Sequence, residues 1–187
     1  MLLQKKINSK FSIFLIFLFF SGVFFENSKF VNAFPLIKQM EELDVKVGEG
    51  YLSFFGFKFY KAELFSNSSF DKKNIFSNKF ALQIKYYKGF TSKKISDLSI
   101  KEIRKLRLGD DEKLQKWSQW MVKNFPDVSK NDSLVGVYSP KNAFVLYYNN
   151  VYFSSSSDIE FSRSFFSIWL DKKTSEPTLR KKLLNIK

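Results

Sequence analysis

The sequence predicts an α+β domain in which an antiparallel sheet is covered by helices, and three observations carry that expectation. Stretches of period-two apolar alternation come first and again later. Two blocks of helical periodicity separate and follow them. No segment repeats, and no Pro/Gly-rich linker divides the chain. At 187 residues the chain fits one domain once its N-terminus is set apart.

That N-terminus carries Lys5, Lys6 and Lys10, then FSIFLIFLFFSGVFF at 11–25, then the small-residue site Val31-Asn32-Ala33. The order of basic, apolar and small segments reads as an export signal over 1–33, which leaves 34–187 as the domain to explain. The apolar run falls short of the roughly 20 residues a membrane span needs, which favours cleavage after Ala33. An uncleaved anchor through 11–25 is the other reading. Either places the domain outside the cytoplasm, in the periplasm.

Leu43, Val45 and Val47 alternate with Asp44 and Lys46, so a strand is expected there, with Gly48-Glu49-Gly50 as the turn that ends it. The aromatic run YLSFFGFKFYKAELF at 51–65 reads as one or two paired strands. FALQIKYYK at 80–88 places Phe80, Leu82, Ile84 and Tyr86 on one side of a strand. The period then becomes helical. Thr91-Ser92 offers an N-cap, Ile95, Leu98, Ile103 and Leu106 form a stripe, and Gly109 stops it.

A second helix is expected from Asp110 to just before Pro126, with acidic residues in its first turn and Leu114, Trp117, Met121 and Val122 as its stripe. Trp117, Trp120 and Phe125 fit either a core stripe or the lining of a pocket. Strands return at 134–138, 143–148 and 151–154, and Asn149-Asn150 stands where a two-residue hairpin turn belongs. Ser154 to Asp158 can cap the next helix, which carries Phe161, Phe165, Ile168 and Trp169 on one face. Pro177 then suits the first turn of a final short helix.

The 31 basic residues outnumber the 18 acidic ones, giving a formal net charge of +13. Only Arg104, Arg107, Arg163 and Arg180 are arginines, and the lysines are scattered, so no nucleic-acid partner is expected. The chain has no cysteine and no histidine, which excludes disulfides, thiolate nucleophiles, His-based triads and ordinary zinc sites. Nothing in the sequence calls for a metal or another cofactor.

Three stretches together carry a family resemblance. They are GEGYLSFFGFKFYKAELF, the strand-to-helix passage IKYYKGFTSKKI, and FFSIWLD followed by EPTLRKKLL near the C-terminus. From about Val47 to Leu184 the chain resembles the chalcone isomerase-like family, in the form that bacteria export. The resemblance implies an open-faced β-sandwich, with a large antiparallel sheet, helices packed on it and an apolar cleft between them. In the plant isomerases the cleft closes a chalcone into a flavanone. They use an arginine after a glycine turn, a threonine in the aromatic strand, a tyrosine and an asparagine on a helix, and a threonine near the end of the C-terminal helix.

The matching positions here are Tyr51-Leu52 after the glycines, Phe55, Lys113, Trp120 and Ile168, and no arginine occurs between Val45 and Lys88. Those replacements remove the dipoles that would hold a phenolate and an enolate, so the plant reaction is not expected. Two functions remain. One is a non-catalytic binder of a fatty acid or a related polyketide- or flavonoid-like apolar ligand, with Lys46, Lys58 or Arg163 meeting its polar end. The other is an isomerase- or lyase-type enzyme that uses Tyr51, Tyr60 or Tyr86 as a proton donor. The candidate ligand-binding residues are Tyr51, Phe55, Tyr86, Trp117, Trp120 and Arg163. Contact with a membrane surface through Arg180-Lys181-Lys182 and the apolar N-terminus is a further reading, each basic residue adding about 1 kcal/mol near anionic lipid.

Overall fold

A computed structural model describes residues 40–187, all of which fall within one compact unit. The signal or anchor segment and the boundary at Ala33 lie outside the described residues. Six strands form one sheet: β1 (Val45–Phe54), β2 (Phe57–Ser66), β3 (Phe80–Tyr86), β4 (Ser133–Ser139), β5 (Ala143–Tyr148) and β6 (Val151–Ser156). They lie side by side in chain order, each antiparallel to the next. Helices α1 (Ser92–Lys105) and α2 (Asp111–Asn124) are inserted between β3 and β4. Helices α3 (Ile159–Leu170) and α4 (Pro177–Leu184) follow β6. The expected α+β architecture, an open antiparallel sheet under helices, is the one observed. Among the described residues no helix is long and apolar enough to cross a membrane.

The caps follow the sequence closely. Thr91 accepts from the Lys94 amide at the start of α1, Asp110 from Lys113 at the start of α2, and Asp158 from Phe161 at the start of α3. Pro177 occupies the first turn of α4. Of the predicted α2 stripe, Leu114, Trp117 and Met121 are buried, while Val122 points to solvent. One extra step around a 100° helix carries a residue off the buried face.

The glycine turn expected at 48–50 is not a turn. β1 continues through it, with Gly48 paired to Leu64 and Gly50 to Ala62, and with register shifts on either side, between Lys46 and Gly48 and between Leu52 and Ser53. The reason lies above the strand. A Cβ on Gly48 would stand 2.1 Å from the Lys182 carbonyl oxygen, and one on Gly50 2.7 Å from the Leu179 side chain. These glycines let α4 lie against β1. The reversal falls instead at Phe55-Gly56, a two-residue loop with φ of 48° and 80°, so both residues are left-handed as a type I′ turn requires. Asn149-Asn150, with φ of 48° and 70°, makes the predicted turn of the same kind between β5 and β6.

The sheet's two faces are unequal. The helix-covered face buries Ala62, Leu64, Phe80, Leu82, Ile84, Leu134, Phe144 and Leu146 with the apolar sides of α2, α3 and α4. A smaller cluster of Ala81, Val135, Val137 and Tyr147, joined by Leu43, forms from residues that alternate with the first set.

Candidate functional site

One region between the layers is not filled. A cavity of about 520 Å3 opens between the sheet on one side and α1, α3 and the loop 174–176 on the other. Period two puts Leu52, Tyr60, Leu82, Ile84, Tyr86 and Leu134 on its floor. Helical spacing puts Ile95, Leu98, Ser99 and Glu102 of α1 on one wall, and Phe165, Ile168 and Trp169 of α3 on its roof. Gly136 contributes no side chain at its inner end, where a Cβ would approach the Phe166 ring to 3.0 Å. The lining residues that reach solvent mark the mouth: Ser53, Phe54, Lys94, Leu98, Lys105, Ser175 and Glu176.

Two phenols face the interior. The Tyr60 hydroxyl accepts from the Trp169 indole N–H at 2.9 Å, which ties the sheet to α3. Tyr86 stands edge-on to Tyr60, with ring centroids 6.1 Å apart, and its hydroxyl makes no hydrogen bond with another described residue. Burial pushes both phenols above the ordinary tyrosine range; at Tyr60 the indole bond works against that shift without cancelling it. Both therefore stay protonated at neutral pH, and each keeps an O–H for which no described residue is the acceptor.

The mouth is polar on one side. Lys105 donates to Glu102 at 2.7 Å, and the Ser175 hydroxyl donates to the other Glu102 oxygen at 2.5 Å, joining α1 to the loop before α4. Burial works to raise the Glu102 carboxyl, but these two bonds override it and hold the group below the usual range. Glu176, close by, is shifted upward by burial and by the charge of Glu102. Lys94 has no ion-pair partner among the described residues. Among those residues, too, no group of three or more metal-ligating side chains is assembled.

Of the six residues singled out in the sequence, Tyr86 lines the cavity and the other five lie elsewhere. Tyr51 points to the other face of β1, stacked on Tyr87 with the Lys58 ammonium 4.2 Å from its ring centre. Phe55 is at the hairpin tip, out in solvent. Trp117 is core, and its indole N–H donates to Asp158 at 3.0 Å. Trp120 packs edge-to-face on Phe125, Phe144 and Phe161. Arg163 donates to the Tyr138 hydroxyl at 3.2 Å and faces a different depression, of about 590 Å3, that it shares with Lys72, Lys73, Lys172, Lys173 and Arg180. That depression is as large but is a cationic surface bowl, whereas the cavity under α1 has the apolar, two-layered wall of a ligand site. Lys46 is engaged by Glu49 and Glu63.

Tyr60, named as a proton donor in the enzyme reading, and Ile168, matched to the plant threonine, also line the cavity. The residues missed, Ile95, Phe165 and Trp169 among them, show in the sequence only as apolar periodicity. Nothing in that periodicity distinguishes a wall from a core.

Comparison with known proteins places this geometry. The family model described as chalcone isomerase-like matches residues 38–185. An uncharacterized protein of Haemophilus influenzae is 31% identical over 139 residues, covering 74% of this chain and 66% of its own length, so the chain spans just under two thirds of that relative. The crystal structure of a fatty-acid binding protein from Arabidopsis thaliana aligns with a TM-score of 0.54 at 13% identity, over 75% of this chain and 86% of the plant chain. At that identity the likeness shows the fold.

Proposed function

The chain belongs to the chalcone isomerase-like family, and we propose that its domain is an exported, non-catalytic carrier of a fatty acid or a similarly elongated apolar molecule, working in the periplasm. The observation that carries this reading is the cavity of about 520 Å3 with an apolar floor and roof, in the usual size range of small-molecule sites. The fatty-acid binding protein with the same fold supports it. The alkyl chain lies against Leu82, Ile84, Leu134 and Phe165. The carboxylate stays at the mouth beside Lys94, which has no ion-pair partner among the described residues, and the unbonded Tyr86 hydroxyl on the floor offers a second donor inside the cavity.

The upward shift of both phenols by burial keeps them protonated, so each retains an O–H to offer the polar end of a bound molecule. Native mass spectrometry of the full chain purified from its host without detergent tests the reading; a co-purifying lipid of defined mass is expected. In titrations with a fluorescent fatty acid, Lys94→Gln and Tyr86→Phe should each weaken binding by roughly tenfold, the worth of one hydrogen bond to a charged group. An empty protein that shows no saturable uptake would sink the proposal. Turnover of an enone library by that empty protein would put the enzyme reading in its place.

A further inference from the structure

At the tip of the β1–β2 hairpin three phenylalanines stand in water. Phe54 is 64% exposed, Phe55 84% and Phe57 64%, while most large apolar side chains of the domain are buried. Phe54 and Phe55 touch edge-on with ring centroids 4.3 Å apart, so two of the three form one apolar wedge. The backbone makes the choice of residue more telling. Phe55 sits at φ 48°, the first position of a type I′ turn, where Asn, Asp or Gly is the comfortable occupant and a bulky side chain is strained.

The molecule supplies its own contrast. The β5–β6 hairpin makes the same turn with Asn149-Asn150, the polar pair that suits water. One tip keeps the unstrained polar solution, and the other keeps a strained, exposed phenylalanine. A residue that is costly both in conformation and in exposure is explained by what it meets.

Charge around the wedge says what that is. No acidic residue occurs between Glu49 and Glu63 in the sequence, and both of those are engaged by Lys46 and Lys61. Behind the tip, the Lys88 ammonium stands 5.1 Å from the Phe57 ring centre and 5.0 Å from that of Phe59, and Lys58 covers Tyr51. An apolar wedge backed by lysines is the pattern of an element that enters an interface, with rings among acyl chains and ammonium groups level with anionic headgroups.

The wedge is also continuous with the cavity. Phe54 belongs to both the tip and the mouth, with Lys94 and the exposed Leu98 completing the rim. We propose that the β1–β2 hairpin docks the domain on an anionic lipid bilayer, inserting Phe55 and Phe57 so that the cavity mouth opens onto the membrane. That the docked mouth exchanges a fatty acid with the bilayer rests on the carrier reading; the docking itself does not.

The test places a reporter at the tip. Phe55→Trp and, as a control, Asn142→Trp in the β4–β5 turn at the opposite end of the sheet are made in the full chain. Emission is then followed on vesicles of dibrominated phosphatidylcholine with and without phosphatidylglycerol. The native tryptophans are buried or half-buried, Trp169 among them in the cavity lining, and the unsubstituted protein on the same vesicles gives the background that is subtracted. The readout is local, so it reports the tip even if another segment holds the chain near the lipid.

The added emission of F55W should fall by roughly twofold on vesicles containing phosphatidylglycerol, less so at high salt, with N142W unaffected. A second variant, Phe55→Asn, should fold with unchanged or raised Tm, because Asn-Gly suits the turn, and should lose salt-sensitive vesicle binding. Equal quenching at both positions, or none at Phe55→Trp, overturns the proposal. So does an F55W emission shift that grows with protein concentration without vesicles, which would assign the wedge to a second copy of the chain. Quenching at Phe55→Trp in a protein that takes up no fatty acid would sustain docking and sink the carrier reading.

Discussion

Beneath α2 and the first turns of α3, Phe144 has ring centroids 5.7 Å from Phe161 and 5.5 Å from Phe165, and Trp120 lies 4.9 Å from Phe161. Beneath α1 and the last turns of α3, the same face of the same sheet encloses about 520 Å3 of open space. Both halves are built from aromatic and aliphatic side chains on alternating strand positions, so apolar content does not separate them. What separates them is how the roof is held. In the solid half, rings meet rings across the layers in the edge-to-face geometry that adds to area burial. In the hollow half, polar struts span the gap. The Tyr60–Trp169 bond joins the sheet to α3, and Glu102 with Ser175 and Lys105 joins α1 to the loop before α4. Those bonds fix the spacing of the layers without filling the space between them.

The strongest way to sharpen this contrast is to empty one half and fill the other. Phe161→Ala removes a fully buried ring that contacts Trp117, Trp120, Phe144 and Phe165, and it should lower stability by about 3–5 kcal/mol in urea unfolding. Ile84→Phe adds volume where space already exists and should change stability by less than about 1.5 kcal/mol, yet abolish fatty-acid uptake. If Ile84→Phe were as damaging as overpacking a filled core, or left uptake intact, the hollow would not be the binding space.

Gly48→Ala tests how the edge of the hollow half is closed. Its new methyl would meet the backbone carbonyls of Lys182 and Leu183, which cannot rotate aside as a side chain can. A loss of about 1–3 kcal/mol is expected, with α4 displaced from β1. Unchanged protection of the Gly50 and Ala62 amides in hydrogen exchange would contradict the close packing described.

The same glycines show what could be read from the sequence and what could not. The strand read over 80–88 and observed as Phe80–Tyr86, the Asn149-Asn150 turn and the caps at Thr91, Asp110 and Asp158 all rest on local rules, and the strand stands within two residues of its expected range and the others where the sequence puts them. Gly48 and Gly50 were legible as special but not as to kind. Glycine serves equally for positive φ and for the absence of a Cβ, and only the helix that arrives 130 residues later decides between them. Phe55 was invisible as a turn residue because phenylalanine is a poor one.

The site was harder still. Tyr86 was read correctly as inward-facing because alternation in β3 is strict. Trp117 and Trp120 share a helical stripe with true core residues, and whether a stripe meets rings or space depends on layer spacing, which no local pattern encodes.

The smallest expected effect is a difference in how two carboxyls respond to pH. Asp132, just before β4, accepts from the Ser129 amide, the Asn149 side chain and the Tyr148 hydroxyl, and these bonds, that from Asn149 foremost, hold its carboxyl below the usual range. Its contribution is therefore complete above the unfolded value of about 3.9 and lost as pH falls through the lower folded value. Asp132→Asn should lower Tm at pH 7 by a few degrees, with the gap to the native protein closing in acid.

Glu176, at the mouth of the hollow half, has the opposite sign. Burial and the nearby Glu102 raise its carboxyl, so the folded state favours the proton and stability declines as pH rises from about 4.3 through the folded value. Glu176→Gln should then raise Tm slightly at neutral pH and leave it unchanged near pH 4, the reverse of Asp132→Asn. Bound fatty acid would bring a carboxylate toward the same mouth and add to the repulsion at Glu176, so the neutral-pH gain from Glu176→Gln should be larger in loaded protein than in empty protein. Equal gains in the two forms would place the ligand's head away from the rim formed by Lys94, Glu102 and Glu176.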